Sequence, residues 1–163
     1  MLLADNEILE LVEKGELIVE GFKHENLTPN GYDLSIREVL IPSKGESIKE
    51  GSAQIPPLTW FLIGTEEVVE LPKGITGQLW IRTSWARKGV MASFGKVDAG
   101  FRGDLTFSAF NASSNSIEVP IGSKFAQIIF MRMSTKPSKA YEERSGNYQN
   151  QRGITLEPKK TKK

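Results

Sequence analysis

The sequence predicts an all-β fold, a sandwich or barrel of short strands, on three observations. Beyond Leu17 the chain is a series of β-prone runs, each four to nine residues long. Gly and Pro turns separate them, at Pro56-Pro57, Leu71-Pro72-Lys73-Gly74 and Pro120-Ile121-Gly122. Helical periodicity is confined to the start, where Asp5 reads as an N-cap, Ile8, Leu11 and Val12 share a face, and Gly15 ends the helix.

The strands follow in order. Tyr32–Leu40 leaves the tight turn Asn30-Gly31. Trp60–Ile63, Glu66–Leu71 and Gly77–Ile81 come next, then Leu105–Phe110, Ser116–Val119 and Phe125–Met133. From Ser134 onward the chain turns polar and buries little, so residues 134–163 read as a mobile C-terminal arm on a single domain, 1–163. Its end, Lys159 to Lys163, reads as a solvated basic tail.

Composition narrows the function. The 163 residues carry a formal net charge of +1, so no basic face for nucleic acid is expected. There is no cysteine, which removes disulfides and thiolate metal sites and fits a reducing cytoplasm. No apolar run approaches the roughly 18 residues of a membrane helix. Asp5, Glu7 and Glu10 argue against a signal peptide. His24 is the only histidine and sits in the polar stretch Phe22 to Asn26, which reads as surface. A caged zinc and a serine–histidine pair are therefore poorly supported.

Two stretches carry the chemistry. Asp98 precedes Ala99-Gly100-Phe101-Arg102-Gly103. Its plain account is an Asx turn. Its functional account is a general base on a rigid turn, ionised at neutral pH without tuning. Arg82-Thr83-Ser84-Trp85-Ala86-Arg87 offers guanidinium groups and hydroxyls suited to phosphate oxygens. It also fits a strand-to-helix transition with Ser84 as N-cap. Tyr148, Gln151, Arg152 and the Gly153 hinge fit a flap over phosphates, or plain disorder. Tyr32 and Asp33 leave the Asn30-Gly31 turn, where they could face a metal's water shell or another subunit.

In five ordered motifs the chain resembles the superfamily of dUTP diphosphatases and dCTP deaminases over nearly its whole length. Asn26-Leu27-Thr28-Pro29-Asn30-Gly31-Tyr32-Asp33-Leu34 is similar to the start of deaminase-type members. Arg82 to Arg87 is similar to the phosphate motif R-S-S-L-A-R, and Val97 to Gly103 to the motif around sugar and base. Gly122 to Phe130 resembles G-x-x-I-A-Q-L-I-F, and Asn147 to Gly153 the tail K-Y-x-x-Q-x-G. The resemblance implies a distorted jelly-roll-like β-barrel of the dUTPase-like, β-clip kind and a homotrimer with sites between subunits. It also implies Mg²⁺ held through the substrate's phosphates and waters, with no direct protein ligand.

On that resemblance Asp98 activates water, and Arg82, Thr83, Ser84, Arg87, Tyr148, Gln151 and Arg152 bind phosphates. Lys96, Val97, Phe101, Gly103 and Ser108 surround the nucleoside, with Phe101 stacked on deoxyribose. Deaminases of the family carry a glutamate ten residues after the motif aspartate; here that position is Ser108. A hydroxyl does not shuttle protons as a carboxylate does without a base beside it. Phe101-Arg102-Gly103-Asp104 and Ala109-Phe110-Asn111 are closer to the diphosphatase pattern. The expectation is therefore a dUTP diphosphatase yielding dUMP and pyrophosphate. A dCTP deaminase, giving dUTP or, if bifunctional, dUMP, is the alternative, with Asp104 or Glu118 replacing the glutamate. A catalytically silent nucleotide-binding trimer is a second alternative.

Overall fold

Strand β3 (Gly31–Ile41), eleven residues long, is the spine of the fold in this computed structural model, which describes residues 1–159. Lys160 to Lys163 of the basic tail lie outside the described residues. The chain begins with α1 (Asp5–Glu13), β1 (Leu17–Glu20), a 3-10 turn at His24–Asn26 and β2 (Leu27–Thr28). After β3 come β4 (Glu46–Ile48), β5 (Ser52–Ile55), β6 (Thr59–Thr65), β7 (Val68–Glu70) and β8 (Ile75–Ile81). Helix α2 (Thr83–Ala86) leads to β9 (Val90–Ser93), β10 (Lys96–Val97), β11 (Arg102–Gly103) and β12 (Thr106–Asn111). The last elements are β13 (Ile117–Pro120), β14 (Lys124–Arg132) and α3 (Tyr141–Arg144).

The large sheet runs β10-β8-β14-β3-β6-β12-β9, with β2 and β4 also on β3, all antiparallel. It curls into a half-barrel, the predicted all-β architecture. Two small sheets, β1-β7-β11 and β13-β5, complete the strand pairing. β3 can serve both halves because its register slips between Ile36 and Glu38, where Arg37 is the extra residue. Such a bulge bends the strand and re-aims a side chain. Arg37 is thereby turned to Asp104, at 2.9 Å.

A second slip, between Lys124 and Ala126, makes Phe125 the extra residue of β14. Phe125 is fully buried and meets Trp85, Phe94 and Phe107 at centroid distances of 5.6, 6.4 and 6.4 Å. β12 alternates as a half-buried strand should: Phe107, Ala109 and Asn111 face the core, while Thr106, Ser108 and Phe110 take the other face.

The helix prediction needs small corrections. The N-cap of α1 is Ala4, not Asp5; Ala4 N–H donates to Glu7 Oε2 at 3.2 Å. Ile8 is buried, and Leu11 and Val12 pack on the core. Two further helices, α2 and α3, have four residues each, too short for periodicity to reveal. In α2 the N-cap is Arg82 rather than Ser84. No helix of the described residues is long and apolar enough to cross a membrane.

Candidate nucleotide site

The turn that carries Asp98 is closed by backbone. Phe101 N–H donates to Asp98 C=O at 3.0 Å, and Gly100 takes φ 86° at the third position. A type II turn requires that left-handed geometry, so Gly is the residue suited to it. Leu71 ties the turn from β7's end: its C=O accepts from Gly100 N–H and its N–H donates to Phe101 C=O, both at 2.9 Å. The carboxylate of Asp98 is thus not spent on its own turn, as an Asx turn would require. It pairs with Lys96 Nζ.

Asp98 borders a cavity of about 480 Å³. Lys96, Val97, Phe101, Ser108, Tyr148 and Gln151 line it too, so seven of the candidate residues meet there. Leu62, Leu79, Phe94 and Phe107 supply apolar wall, and Ser93, Thr106 and Thr155 supply hydroxyls. Phe101 is buried and packs edge-on against Tyr141 at 5.5 Å. Ser108 Oγ accepts from Trp60 Nε1–H at 2.8 Å. A second cavity, about 550 Å³, shares Lys96 and Asp98 and is bordered by Lys139 and Arg144.

Other candidates lie elsewhere. Arg82, Thr83, Ser84 and Arg87, around α2, line neither cavity of their own chain. Arg82 Nε stands 3.4 Å from Asp33 Oδ2, and Lys124 Nζ 3.6 Å from the same oxygen. Trp85 packs inward with its indole N–H on Lys124 C=O at 2.8 Å, whereas Ala86 is exposed. Arg152 forms a two-pronged ion pair with Glu20, at 2.9 and 2.5 Å. Gly103 lies against Gln151 in an isolated parallel bridge instead of lining the cavity. His24 is exposed, edge-on to Phe22.

The described part of the arm packs on its own chain. Asn150 N–H donates to Arg102 C=O at 2.7 Å, Gln151 Nε2–H to Asp104 C=O at 2.5 Å, and Gly153 N–H to Asp104 Oδ2 at 2.7 Å. Asp104 is fully buried between Arg37 and this arm, and burial pushes its carboxyl up despite those partners. It does not line the cavity, and Glu118 stands exposed on β13. Among the described residues Asp98 is the one acidic side chain lining the cavity, so neither stands where the deaminase alternative needs its carboxylate within this chain.

Two side chains escaped sequence reasoning. Trp60 read as a strand residue, and only the register of β6 on β12 places its indole N–H on Ser108. Glu67 is fully buried, with both carboxylate oxygens accepting from Ser35 N–H at 3.1 and 2.9 Å. Burial raises its pKa to about 7. Nothing in the pair Glu66-Glu67 marks one as core.

The curled antiparallel sheet thus sets a turn-borne carboxylate beside a cavity. The chain belongs to the dCTP deaminase-like family, whose model matches residues 2–133. It is 40% identical over 162 residues to a dCTP deaminase of Pyrococcus horikoshii, spanning 98% of this chain and 99% of that one. It is 32% identical to a dUMP-forming dCTP deaminase of Aquifex aeolicus, over 94% and 92% of the two chains. The 2′-deoxycytidine 5′-triphosphate deaminase structure from Agrobacterium tumefaciens matches at TM-score 0.70 and 18% identity, over 81% of this chain and 48% of that one. A dUTPase structure from Staphylococcus aureus phage phi11 matches at TM-score 0.53 and 20% identity, over 74% and 86%. These two likenesses concern the fold.

The expectation of a dUTP diphosphatase is overturned by these comparisons. Its basis was Ser108 in the place of the deaminase glutamate, with two short stretches, Phe101 to Asp104 and Ala109 to Asn111, read as diphosphatase-like. The full-length relatives, at 32–40% identity, are dCTP deaminases. The first of the two stretches has a structural duty of its own: Asp104 anchors the arm rather than lining the cavity.

Proposed function

We propose that this chain is an enzyme that deaminates dCTP to dUTP. The observation that carries the reading is near-full-length similarity to dCTP deaminases, together with a cavity in which Asp98 is the one acidic lining group. In the proposed step a water oxygen bonds to C4 of the cytosine ring. Asp98 takes a proton from that water and passes it to N3, then takes the proton of the new C4 hydroxyl and passes it to the exocyclic amine. The C4–N4 bond then breaks, ammonia leaves, and C4 keeps the oxygen as a carbonyl. Asp98 suits this because its carboxylate faces the cavity on a turn held by three backbone hydrogen bonds. Lys96 pairs with it at the cavity edge.

The remaining roles follow the same reading. Phe101 lies against the deoxyribose, Lys96, Val97 and Ser108 surround the base, and Gly103 braces Gln151. Tyr148 and Gln151 bring the arm over the ligand, and Arg152 reaches a phosphate on leaving Glu20. Arg82, Thr83, Ser84 and Arg87 line no cavity of their own chain, and Trp80 and Met91 are exposed apolar groups, at 54% and 64%. Both facts support a homotrimer in which the phosphate-binding segment serves a neighbour's site. Among the described residues no three His, Cys, Asp or Glu side chains gather as a metal cage. On this reading Mg²⁺ accompanies the triphosphate, where the ion would neutralise phosphate charge.

Incubation with dCTP and Mg²⁺ should release ammonia and give dUTP. Asp98→Asn should cut that release at least about 100-fold with the melting temperature kept. Absence of ammonia from the unsubstituted protein, or full turnover in Asp98→Asn, refutes the reading.

A further inference from the structure

Ser108 has a hydrogen-bonding capacity that its neighbours leave two-thirds unused. Its side chain projects from β12 into the 480 Å³ cavity, beside its cross-strand partners Leu62 and Ser93. Trp60 Nε1–H donates to Ser108 Oγ at 2.8 Å. A hydroxyl has one hydrogen to give and two lone pairs to accept with. Trp60 occupies one lone pair, so one hydrogen and one lone pair remain for a ligand. The wall around this hydroxyl is apolar or hydroxylic, from Leu62, Ser93 and Phe107. Asp98, the cavity's carboxylate, sits on a separate segment with Lys96.

A 4-amino pyrimidine offers a donor at C4 and an acceptor at N3. A 4-oxo pyrimidine offers the reverse. A carboxylate at position 108 would accept only, matching the amino form and repelling the oxo form. A hydroxyl fixed at its oxygen by Trp60 meets either form by turning its hydrogen. We infer that the Trp60–Ser108 pair makes the base subsite indifferent to the group at C4, so that the deaminated nucleotide is held about as tightly as its precursor. The inference rests on the pyrimidine-nucleotide reading of the cavity. Its consequence is inhibition by the reaction's own product.

Calorimetric titration with dCTP and with dUTP, in an Asp98→Asn background to stop turnover, tests this. The two dissociation constants should lie within about threefold of each other. Adding Ser108→Glu should weaken dUTP relative to dCTP by about tenfold or more, as two acceptors face each other. Adding Ser108→Ala, which preserves the fold more safely, should weaken both by a common factor of about two to ten. A preference beyond tenfold without any change at Ser108, an unchanged ratio in Ser108→Glu, unchanged affinities in Ser108→Ala, or no binding of either nucleotide overturns the inference. Ammonia release by the unsubstituted protein separates the two readings. Near-equal binding without ammonia removes deamination and keeps this inference, while ammonia with unequal binding does the opposite.

Discussion

Glu67 should make the fold less stable as pH rises from 5 to 8. Its carboxyl is fully buried beneath Thr65 and Ser35. Thr65 Oγ1–H donates to Glu67 C=O at 2.9 Å, and Asn26 Nδ2–H donates to Ser35 Oγ at 2.9 Å. Lys23, the nearest cation of the cluster, pairs with Glu66 instead, at 2.5 Å. Burial outweighs the Ser35 N–H and raises the pKa from its ordinary 4.5 to about 7. The folded chain therefore binds a proton that the unfolded chain has released between those values. Its stability falls with pH across that window and flattens above it. At about 1.4 kcal/mol per pH unit, the gap from 4.5 to about 7 gives a loss of about 3 kcal/mol. Below pH 4.5 the contribution is fully present. Urea unfolding at pH 5 and pH 8 measures it, with Glu67→Gln as the comparison. The amide keeps an oxygen for Ser35 N–H and cannot ionise, so its loss over the same interval should be smaller by about 3 kcal/mol. Parallel pH profiles for the two proteins would refute a raised pKa at Glu67.

Two further outcomes follow from the geometry. Gly100→Ala should destabilise by about 2–4 kcal/mol, because φ is 86° and the new Cβ would stand 2.8 Å from Ala140 Cβ; thermal melting reads this, and faster proteolysis beyond Ser134 should accompany it. Light scattering should give three times the 18.1 kDa chain mass, and a monomer with full ammonia release would remove the shared-site proposal.

Much of the architecture was legible because short β-prone runs and Gly-Pro turns announce antiparallel strands. Tyr32–Leu40 became β3 within a residue at each end, and Phe125–Met133 became β14 with a one-residue displacement at each end. What the pattern could not show was register. The bulges at Arg37 and Phe125 depend on which residue of a neighbouring strand stands opposite, and that is a long-range property. Asp98, Phe101 and Ser108 lie within eleven residues of one another, and the structure brings them to one cavity with Tyr148 and Gln151. Arg82 to Arg87 did not join them; in the proposed trimer they would serve a neighbour's site, which one chain's spacing does not mark. The choice between two reactions failed for a related reason. Local motifs report the shape of a turn, whereas kinship is carried by residues spread along the whole chain.

The turn after Asp98 explains why a carboxylate, a glycine and an arm occur together here. Gly100 adopts the left-handed angle that lets Asp98 C=O close the turn and leaves the side chain free for the cavity. The same glycine, lacking a Cβ, admits Ala140, and Ala99 C=O accepts from Tyr141 N–H at 3.0 Å. Tyr141 then meets the edge of Phe101, and its Oη accepts from Tyr148 N–H at 3.0 Å. One backbone conformation thus fixes the Asp98 carboxylate and seats the start of the arm. A Cβ at position 100 disturbs both at once. The position of the arm and the aim of Asp98 should therefore change together, and a ligand that orders one orders the other.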